Sequence, residues 1–171
     1  MTAQTEFAQL FQTQYDDLHR YVRRRADPSA VEDIVEDTFL AAWRRFDELP
    51  EDVRPWLFRT ARNVMMNADR SRNRHAALAV RIGEHTPEHV PDSADEVDQR
   101  IDLVRAWRRL APADQEVLAL HVWEDLSPKD AAVVLGCSRP AYLMRLSRAR
   151  ARLAPLLGPA VSLIPATATA L

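Results

Sequence analysis

The sequence predicts an all-α protein built from two small helical units joined by an acidic linker. Only three of the 171 residues are glycine, and 47% are hydrophobic, a share large enough for packed cores. Apolar residues recur every three to four positions along most of the chain, which is the period of an α-helix. No segment has the alternating Val, Ile and Thr pattern, bounded by turn residues, that indicates a sheet.

Two helices are expected before residue 50, over residues 7–25 and after the break at Asp27-Pro28-Ser29. Pro28 suits a first helical turn, and Ser29 with Glu32 has the spacing of a capping box. The second helix would bury Val31, Ile34, Val35, Phe39, Leu40 and Trp43. Its opposite face carries Glu32, Asp33, Glu36 and Asp37. We expect this acidic stripe to face solvent or a partner.

A third helix is expected after Arg54-Pro55, from about Trp56 toward Arg74. Its buried face would hold Leu57, Ala61, Val64, Met65 and Ala68. Its exposed face would hold Arg59, Arg62, Asn63, Asn67, Arg70 and Arg72. A basic amphipathic helix of this kind suits either a nucleic-acid surface or a solvated face.

The domain boundary is expected in residues 76–98, an acidic, proline-containing stretch with the composition of an extended linker. This assigns residues 1–75 to the first domain and residues 99–157 to the second, which would begin with Ile101, Leu103, Val104, Trp107 and Leu110. The tail, residues 158–171, carries no charged side chain. It is expected to be disordered or to pack on the second domain or a regulator.

Charge is distributed in blocks, although the net charge is only −2. Residues 59–81 carry 6 basic and 1 acidic side chains, and residues 138–171 carry 5 and 0, so each block has a charge of +5. Residues 1–58 carry 7 and 12 (−5), and residues 82–98 carry 0 and 6 (−6). Basic blocks attract phosphates, whereas acidic surface repels them and can dock on a basic protein. The pattern indicates two kinds of partner, a nucleic acid and a protein.

The most specific motif is LSPKDAAVVLGCSRPAYLMRLSRARARL, residues 126–153, which has the pattern of a helix-turn-helix. Ser127 would cap its first helix, with Asp130 at the capping-box position. Gly136 tolerates the left-handed conformation that ends a helix, and Ser138 would cap the next one. The inward face of that second helix is expected to hold Tyr142, Leu146, Ala149 and Leu153. Arg145, Arg148 and Arg152 would lie on its other face, placed for DNA phosphates.

Several chemical sites can be set aside. Cys137 is the only cysteine, so neither an internal disulfide nor a cysteine metal cluster is expected. His85 and His89 have helical metal-pair spacing, but Pro87 lies between them in the linker. No catalytic arrangement or cofactor motif is present, so we expect no enzyme activity, cofactor or metal. No secretion signal and no uncharged apolar run of about 18 residues is seen, which favours a cytoplasmic protein.

Three motifs together resemble the extracytoplasmic-function sigma factors of bacterial RNA polymerase, over residues 6–157. VEDIVEDTFLAAW is similar to the family's helix that docks on the polymerase clamp, and RPWLFRTARNVMMNADRSRNR to its segment that melts and binds the minus-ten element. QEVLALHVWEDLSPKDAAVVLGCSRPAYLMRLSRARARL resembles the region-four module that binds the minus-thirty-five element. Their order and distances make the resemblance specific.

The resemblance implies partners and site residues. The partners are core RNA polymerase, through its clamp and flap, promoter DNA and an anti-sigma factor. Core binding would use Asp33, Glu36 and Asp37. Minus-ten binding would use Trp56, Arg59, Arg62, Asn63, Asn67 and Arg70. Minus-thirty-five binding would use Ser138, Arg139, Ala141, Tyr142, Arg145, Arg148 and Arg152.

The sequence departs from the family at Pro140, where a glycine is usual, and at Leu143, where a polar or basic residue is usual. Pro140 is compatible with a first helical turn, and Leu143 with Met144 offers apolar contacts to DNA in place of hydrogen bonds. An alternative interpretation is a stand-alone helix-turn-helix regulator whose N-terminal half senses a signal or dimerises. A third makes that half an enzyme or an interaction domain.

Overall fold

The structure is a computed structural model that describes residues 2–71, 80 and 94–157, with the side chains of 2–68, 80 and 101–157. The described residues contain helices and short 3-10 turns and no strand. The α-helices are α1 (Ala3–Arg23), α2 (Val31–Arg44), α3 (Val53–Ser71), α4 (Ala94–Arg109), α5 (Pro112–Val122), α6 (Pro128–Leu135) and α7 (Arg139–Leu153). The all-α prediction is confirmed.

The first domain packs α1, α2 and α3 around one apolar core. Tyr21 of α1 and Phe58 of α3 are fully buried and stack with their ring centroids 4.3 Å apart. Val35 and Phe39 of α2 are buried in the same core. Burying side chains of this size contributes about 1.5–3 kcal/mol each, so these contacts fix how α3 is presented.

Two expectations for α2 were wrong. Leu40 and Trp43 are exposed, because they follow Glu36 by four and seven residues and so share its outward face. The capping box is also absent: Asp27, not Ser29, caps the short 3-10 turn that precedes α2, and its carboxylate accepts from the Ser29 amide at 3.0 Å. The Glu32 carboxylate accepts instead from the Tyr15 hydroxyl at 3.1 Å.

The second domain packs α5, α6 and α7 together, with α4 contributing Ala106, Trp107 and Leu110 to the core. Ile101 and Leu103, in the earlier turns of α4, are exposed.

The range assigned to the linker also needs correction at two points. The helix α4 already begins at Ala94. Val80 is buried, its amide donates to the Gln115 side chain at 3.0 Å, and its carbonyl accepts from Trp107 Nε1 at 2.7 Å. Val80 is therefore fixed on the second domain by an apolar contact and two hydrogen bonds. The tail, residues 158–171, and the pair His85 and His89 lie outside the described residues.

Candidate nucleic-acid and polymerase interfaces

The acidic stripe of α2 lies on the surface as expected. Asp33, Glu36 and Asp37 are exposed on the side of α2 that faces away from α1 and α3. Glu32, at the edge of the stripe, bonds to Tyr15 and to His19 Nε2 at 3.0 Å. Its hydrogen bond and negative charge raise the pKa of Tyr15. The three outer carboxylates remain accessible to a basic partner.

The polar face of α3 is divided between solvent and the second domain. Arg59, Asn63 and Asn67 are exposed, while Trp56 is half-buried against the core of the first domain. Arg62 was expected to be exposed, but its side chain is only 17% exposed. It is covered because α5 of the second domain packs an acidic side chain against it. The side chain of Arg70 lies outside the described residues.

That acidic side chain is Glu116. Nε of Arg62 donates to Glu116 Oε1 at 2.6 Å and Nη2 donates to Oε2 at 3.0 Å, so the pair is bidentate. Burial of Arg62 lowers its pKa, but the hydrogen bonds and charge of Glu116 outweigh burial, and the net pKa is raised. Arg62 and Glu116 thus form a bidentate pair at the domain contact, in which each side chain compensates the desolvation of the other.

The helix-turn-helix has the expected caps. Ser127 accepts from the Asp130 amide at 3.2 Å at the start of α6, and Ser138 accepts from the Ala141 amide at 3.3 Å at the start of α7. Gly136 ends α6 in the left-handed conformation, with φ 63° and ψ 38°. Pro140 lies in the first turn of α7, which remains helical. The departure from the family pattern at this position therefore leaves α7 intact.

The buried and exposed faces of α7 are those predicted from the helix period, but Tyr142 does not have the DNA-binding position that the family resemblance implied. Leu146, Ala149 and Leu153 are buried, and so is Tyr142, whose side chain is fully buried and whose hydroxyl donates to the Val117 carbonyl at 3.4 Å. Burial raises the pKa of Tyr142 to about 12. Tyr142 therefore belongs to the core and cannot contact DNA in this conformation.

The outward face of α7 is basic and partly apolar. Arg139, Arg145 and Arg148 are exposed, as are Leu143 and Met144. Ala141 is half-buried, and the Ser138 side chain is exposed apart from its capping bond. Arg152 is exposed but already engaged, because its Nη1 donates to both Asp114 carboxylate oxygens at 2.9 and 2.8 Å. The exposed arginines of this face without a carboxylate partner among the described residues are therefore Arg139, Arg145 and Arg148.

The basic residues of the two domains meet at one cleft. Its volume is about 370 Å³, and its charged lining consists of Arg62, Asp114, Glu116, Arg145, Arg148 and Arg152. Four guanidinium groups against two carboxylates leave the lining positive, as a surface that contacts phosphates requires.

A second ionic cluster joins the domains through Glu124, which is 3% exposed. It accepts from Arg25 Nη1 at 2.9 Å and from Arg24 Nη1 at 3.2 and 3.3 Å, and its carbonyl accepts from Arg54 Nη1 at 2.9 Å. Sequence reasoning missed Glu116 and this cluster. The available signal for Glu116 was weak: it directly precedes the apolar run 117–120 of α5, and an acid in a buried helix usually pairs with a cation.

Within the described residues, no group of three His, Cys, Asp or Glu side chains is arranged to hold a metal ion. No helix in the same part of the chain combines the length and apolarity needed to cross a bilayer.

The chain matches Sigma-70 region 2 over residues 10–75 and Sigma-70 region 4 over residues 100–153. The first segment holds most of α1 and all of α2 and α3, and the second holds most of α4 and all of α5–α7. The two matches therefore coincide with the two domains that bear the charged surfaces.

Relatives match over most of their length. The RNA polymerase sigma factor NccH of Alcaligenes xylosoxydans xylosoxydans is 38% identical over 90% of this chain and 88% of its own. The ECF RNA polymerase sigma factor SigM of Mycobacterium tuberculosis is 33% identical over 89% and 77%. These relatives do not favour a stand-alone regulator.

Solved structures agree. CnrH in complex with the cytosolic domain of CnrY has a TM-score of 0.61 and 31% identity, covering 90% of this chain and 88% of that one. The sigma factor RpoE of Bartonella quintana, in complex with the anti-sigma factor NepR, shares the fold with a TM-score of 0.66 at 24% identity, covering 89% and 96%. From its two matched regions and its relatives, the chain belongs to the extracytoplasmic-function sigma factors, which bind core RNA polymerase and direct it to promoter DNA.

Proposed function

We propose that this sigma factor divides promoter recognition between α3 and α7 and docks on the polymerase through α2. The observation that carries the proposal is that Arg145 and Arg148 project outward from α7, whose opposite face is buried in the second domain. A capped helix held in this way can enter the major groove of the minus-thirty-five element while its arginines contact phosphates. Leu143 and Met144 would add apolar contacts, for example to a thymine methyl.

The exposed polar face of α3 is proposed to bind the opened minus-ten element. Arg59, Asn63 and Asn67 offer a cation and two amides along one exposed face. An open strand needs cations for its phosphates, and a flipped base needs hydrogen bonds to its edge. Arg62 would join this set when the second domain moves away from α3.

The acidic stripe of α2 is proposed to meet basic residues of the polymerase clamp. Asp33, Glu36 and Asp37 are exposed on adjoining turns, and a carboxylate surface of this kind would repel DNA. A basic protein surface is therefore the partner that matches its charge, and the match would raise the rate of association.

The remaining roles follow from the family. The protein is proposed to act in the cytoplasm, where core polymerase meets the promoter, and to catalyse no reaction itself. An anti-sigma factor is a proposed further partner, since the related CnrH and RpoE structures are complexes with a cytosolic domain and an anti-sigma factor respectively. The boundaries 1–75, 76–98 and 99–157 remain the proposed domain limits, adjusted for the start of α4 at Ala94.

The division between α3 and α7 is tested by comparing Arg145→Ala with Asn63→Ala in holoenzyme assembled on a duplex promoter. Arg145→Ala should weaken initial promoter binding. Asn63→Ala should leave initial binding intact and reduce strand opening, which is measured by the permanganate reactivity of unpaired thymines. Arg105→Ala, an exposed arginine of α4, is the matched control and should change neither step. Equal loss of initial duplex binding in both variants would contradict the division.

The docking surface is tested separately by measuring the affinity for purified core enzyme. The double variant Asp33→Asn with Asp37→Asn should weaken core binding by about tenfold or more, since each removes one charge from a complementary interface. Asp47→Asn and Glu48→Gln together remove two charges from an exposed turn outside the stripe and should leave core binding unchanged. Equal effects of the two double variants would show that net charge, and not the stripe, governs binding.

A further inference from the structure

The outward face of α7 has an apolar centre in its first two turns. The Met144 side chain is 55% exposed and the Leu143 side chain is 42% exposed. Pro140, one turn before Met144, is also exposed. None of these three side chains carries a hydrogen-bond donor. The first turns of α7 therefore present apolar atoms at the place where a helix-turn-helix meets the edges of bases.

Met144 lies opposite the buried side of α7. Tyr142 and Leu146 are buried in the second domain, and Met144 is two residues from each of them. Two residues correspond to a rotation of about 200° around an α-helix, so Met144 points away from both. Met144 is therefore directed out of the domain, towards whatever α7 binds.

Arginines surround this apolar centre. Arg139, Arg145 and Arg148 are exposed, and α7 contains no acidic residue. Duplex DNA offers the matching arrangement, because phosphates line both edges of its major groove and the C5-methyl group of thymine lies on the floor. An apolar protein surface would leave the three cations without partners. DNA therefore matches both the charge and the apolar centre of this face.

Thymine is the base that apolar side chains can distinguish. In the major groove guanine presents two acceptors, cytosine a donor, and adenine an acceptor and a donor, whereas thymine presents an acceptor and a methyl group. Removing one such methyl group from water on binding raises affinity about fourfold. Two apolar side chains on one turn of α7 can thus contribute substantially to the choice of sequence.

We propose that Met144 and Leu143 make the minus-thirty-five preference of this protein depend on thymine methyl groups, while the surrounding arginines hold the phosphates. The inference rests on the proposed role of α7 in the major groove and specifies which chemical group of the DNA it reads. It assigns to Met144 and Leu143 a role in specificity that hydrogen-bonding side chains would otherwise have.

The methyl group is tested directly by replacing thymine with deoxyuridine, which lacks only that methyl. Holoenzyme is bound at equilibrium to a labelled duplex promoter at which it initiates, with the thymines of the minus-thirty-five element replaced one at a time on either strand. Binding should weaken about fourfold for each methyl group that is contacted. The same replacement in the spacer between the two promoter elements is the control and should leave binding unchanged.

Protein variants assign the effect to α7. Met144→Ala should weaken binding to the thymine promoter and bring the thymine and uracil promoters to nearly equal affinity. Met144→Leu should retain the preference, because it keeps an apolar side chain. Leu143→Ala should remove the preference at a different thymine. Ile101→Ala truncates an apolar side chain of α4 with the same exposed fraction as Leu143, 42%, and should bind both promoters as the unmodified chain does.

A second change to the DNA separates the methyl group from the hydrogen-bonding pattern. Cytosine in place of a sensitive thymine should bind poorly, and 5-methylcytosine should recover about fourfold, since it restores the methyl group but keeps the donor of cytosine. The proposal would be overturned by equal affinity for thymine and uracil at every position, by 5-methylcytosine binding no better than cytosine, or by a minus-thirty-five element without A·T pairs. A thymine preference that persists in both Met144→Ala and Leu143→Ala would overturn it as well.

Arg145→Ala on the same duplexes reports on the proposed role of α7 by itself. It should weaken binding to the thymine and uracil promoters by the same factor, because a phosphate contact does not depend on the base. A protein that needs Arg145 but does not distinguish thymine from uracil keeps the proposed function and overturns the inference. A protein indifferent to both changes loses the proposed role of α7 as well.

Discussion

Arg25 Nη1 lies 2.9 Å from Glu124 Oε1 in a contact that neither side chain shares with solvent, being 0% and 3% exposed. The same guanidinium lies 3.8 Å from the Tyr21 ring centroid and donates to the Tyr21 carbonyl at 2.8 Å. Burial raises the pKa of the Tyr21 hydroxyl, which stays neutral there. The ion pair between Arg25 and Glu124 thus fixes the end of α1 to the second domain. The Arg25 charge is shielded from water there, so Glu124 is the group that compensates it.

Glu124→Gln should loosen this contact. Loss of a hydrogen bond to a charged group costs about 1.5–3 kcal/mol, so amide hydrogens at the domain contact should exchange at least about tenfold faster. Hydrogen exchange read by mass spectrometry measures this effect at the end of α1 and the segment after α5. Glu48→Gln, in an exposed pair with Arg45, is the control and should change nothing beyond its own turn. Uniformly faster exchange across both domains would instead indicate general destabilisation.

Gly136→Ala should destabilise the helix-turn-helix by about 1 kcal/mol, because alanine adopts the left-handed conformation only with strain. Contact is not the cause, since an added Cβ meets Arg59 no closer than 3.7 Å. Gly136→Asn should cost less, as asparagine tolerates this conformation better than alanine. Urea unfolding of the three proteins provides the comparison. An Ala variant as stable as the glycine form would contradict the assigned turn.

Ser138→Ala should cost about 1 kcal/mol by removing the side-chain oxygen that accepts from the Ala141 amide. The loss should appear in thermal unfolding and as fraying of the first turn of α7. Ser147, exposed within the same helix, offers a matched substitution. Ser147→Ala should be neutral or slightly stabilising, because alanine has the higher helix propensity. Equal losses at both positions would exclude a capping role.

His121 should make stability depend on pH in the mildly acid range. Burial, assisted by the charge of Arg150 and opposed by Asp125, lowers the pKa of His121 in the folded protein. The neutral form is therefore favoured on folding. Its contribution is complete above the ordinary histidine pKa of about 6.5 and is lost as the pH falls through the lower folded value.

Thermal unfolding of the unmodified chain and of His121→Gln, measured between about pH 7.5 and about pH 5.5, isolates the contribution of His121 to the pH dependence of stability. The unmodified protein should lose more stability than the variant over that interval. The difference is small because His121 is partly exposed. Parallel curves would show that His121 does not contribute.

Local patterns predicted much of the fold and the outline of the site. Helix caps such as Ser127 and Ser138 depend on residues within one turn, so their partners could be assigned from spacing alone. Gly136 was assigned for the same local reason. The acidic stripe and the arginines of α7 followed from the period of the helix.

Contacts between the domains could not be predicted in this way. Arg62 has the spacing of an exposed residue on α3, and only the position of Glu116, 54 residues later, makes it buried. For Tyr142 two predictions conflicted. The helix period placed it on the inward face of α7, whereas the family resemblance implied that it binds DNA. Its burial and its hydrogen bond to the Val117 carbonyl favour the inward position. Which side chains of a helix face remain exposed is thus determined by contacts with residues distant in the sequence, and not by the local pattern.

The most direct test of the account is run-off transcription with purified core RNA polymerase, this protein and a pooled library of candidate promoters. We predict initiation at a defined subset of promoters that requires this chain and is lost with Arg145→Ala. Failure to initiate, together with failure of the chain to co-elute with core enzyme, would contradict the account.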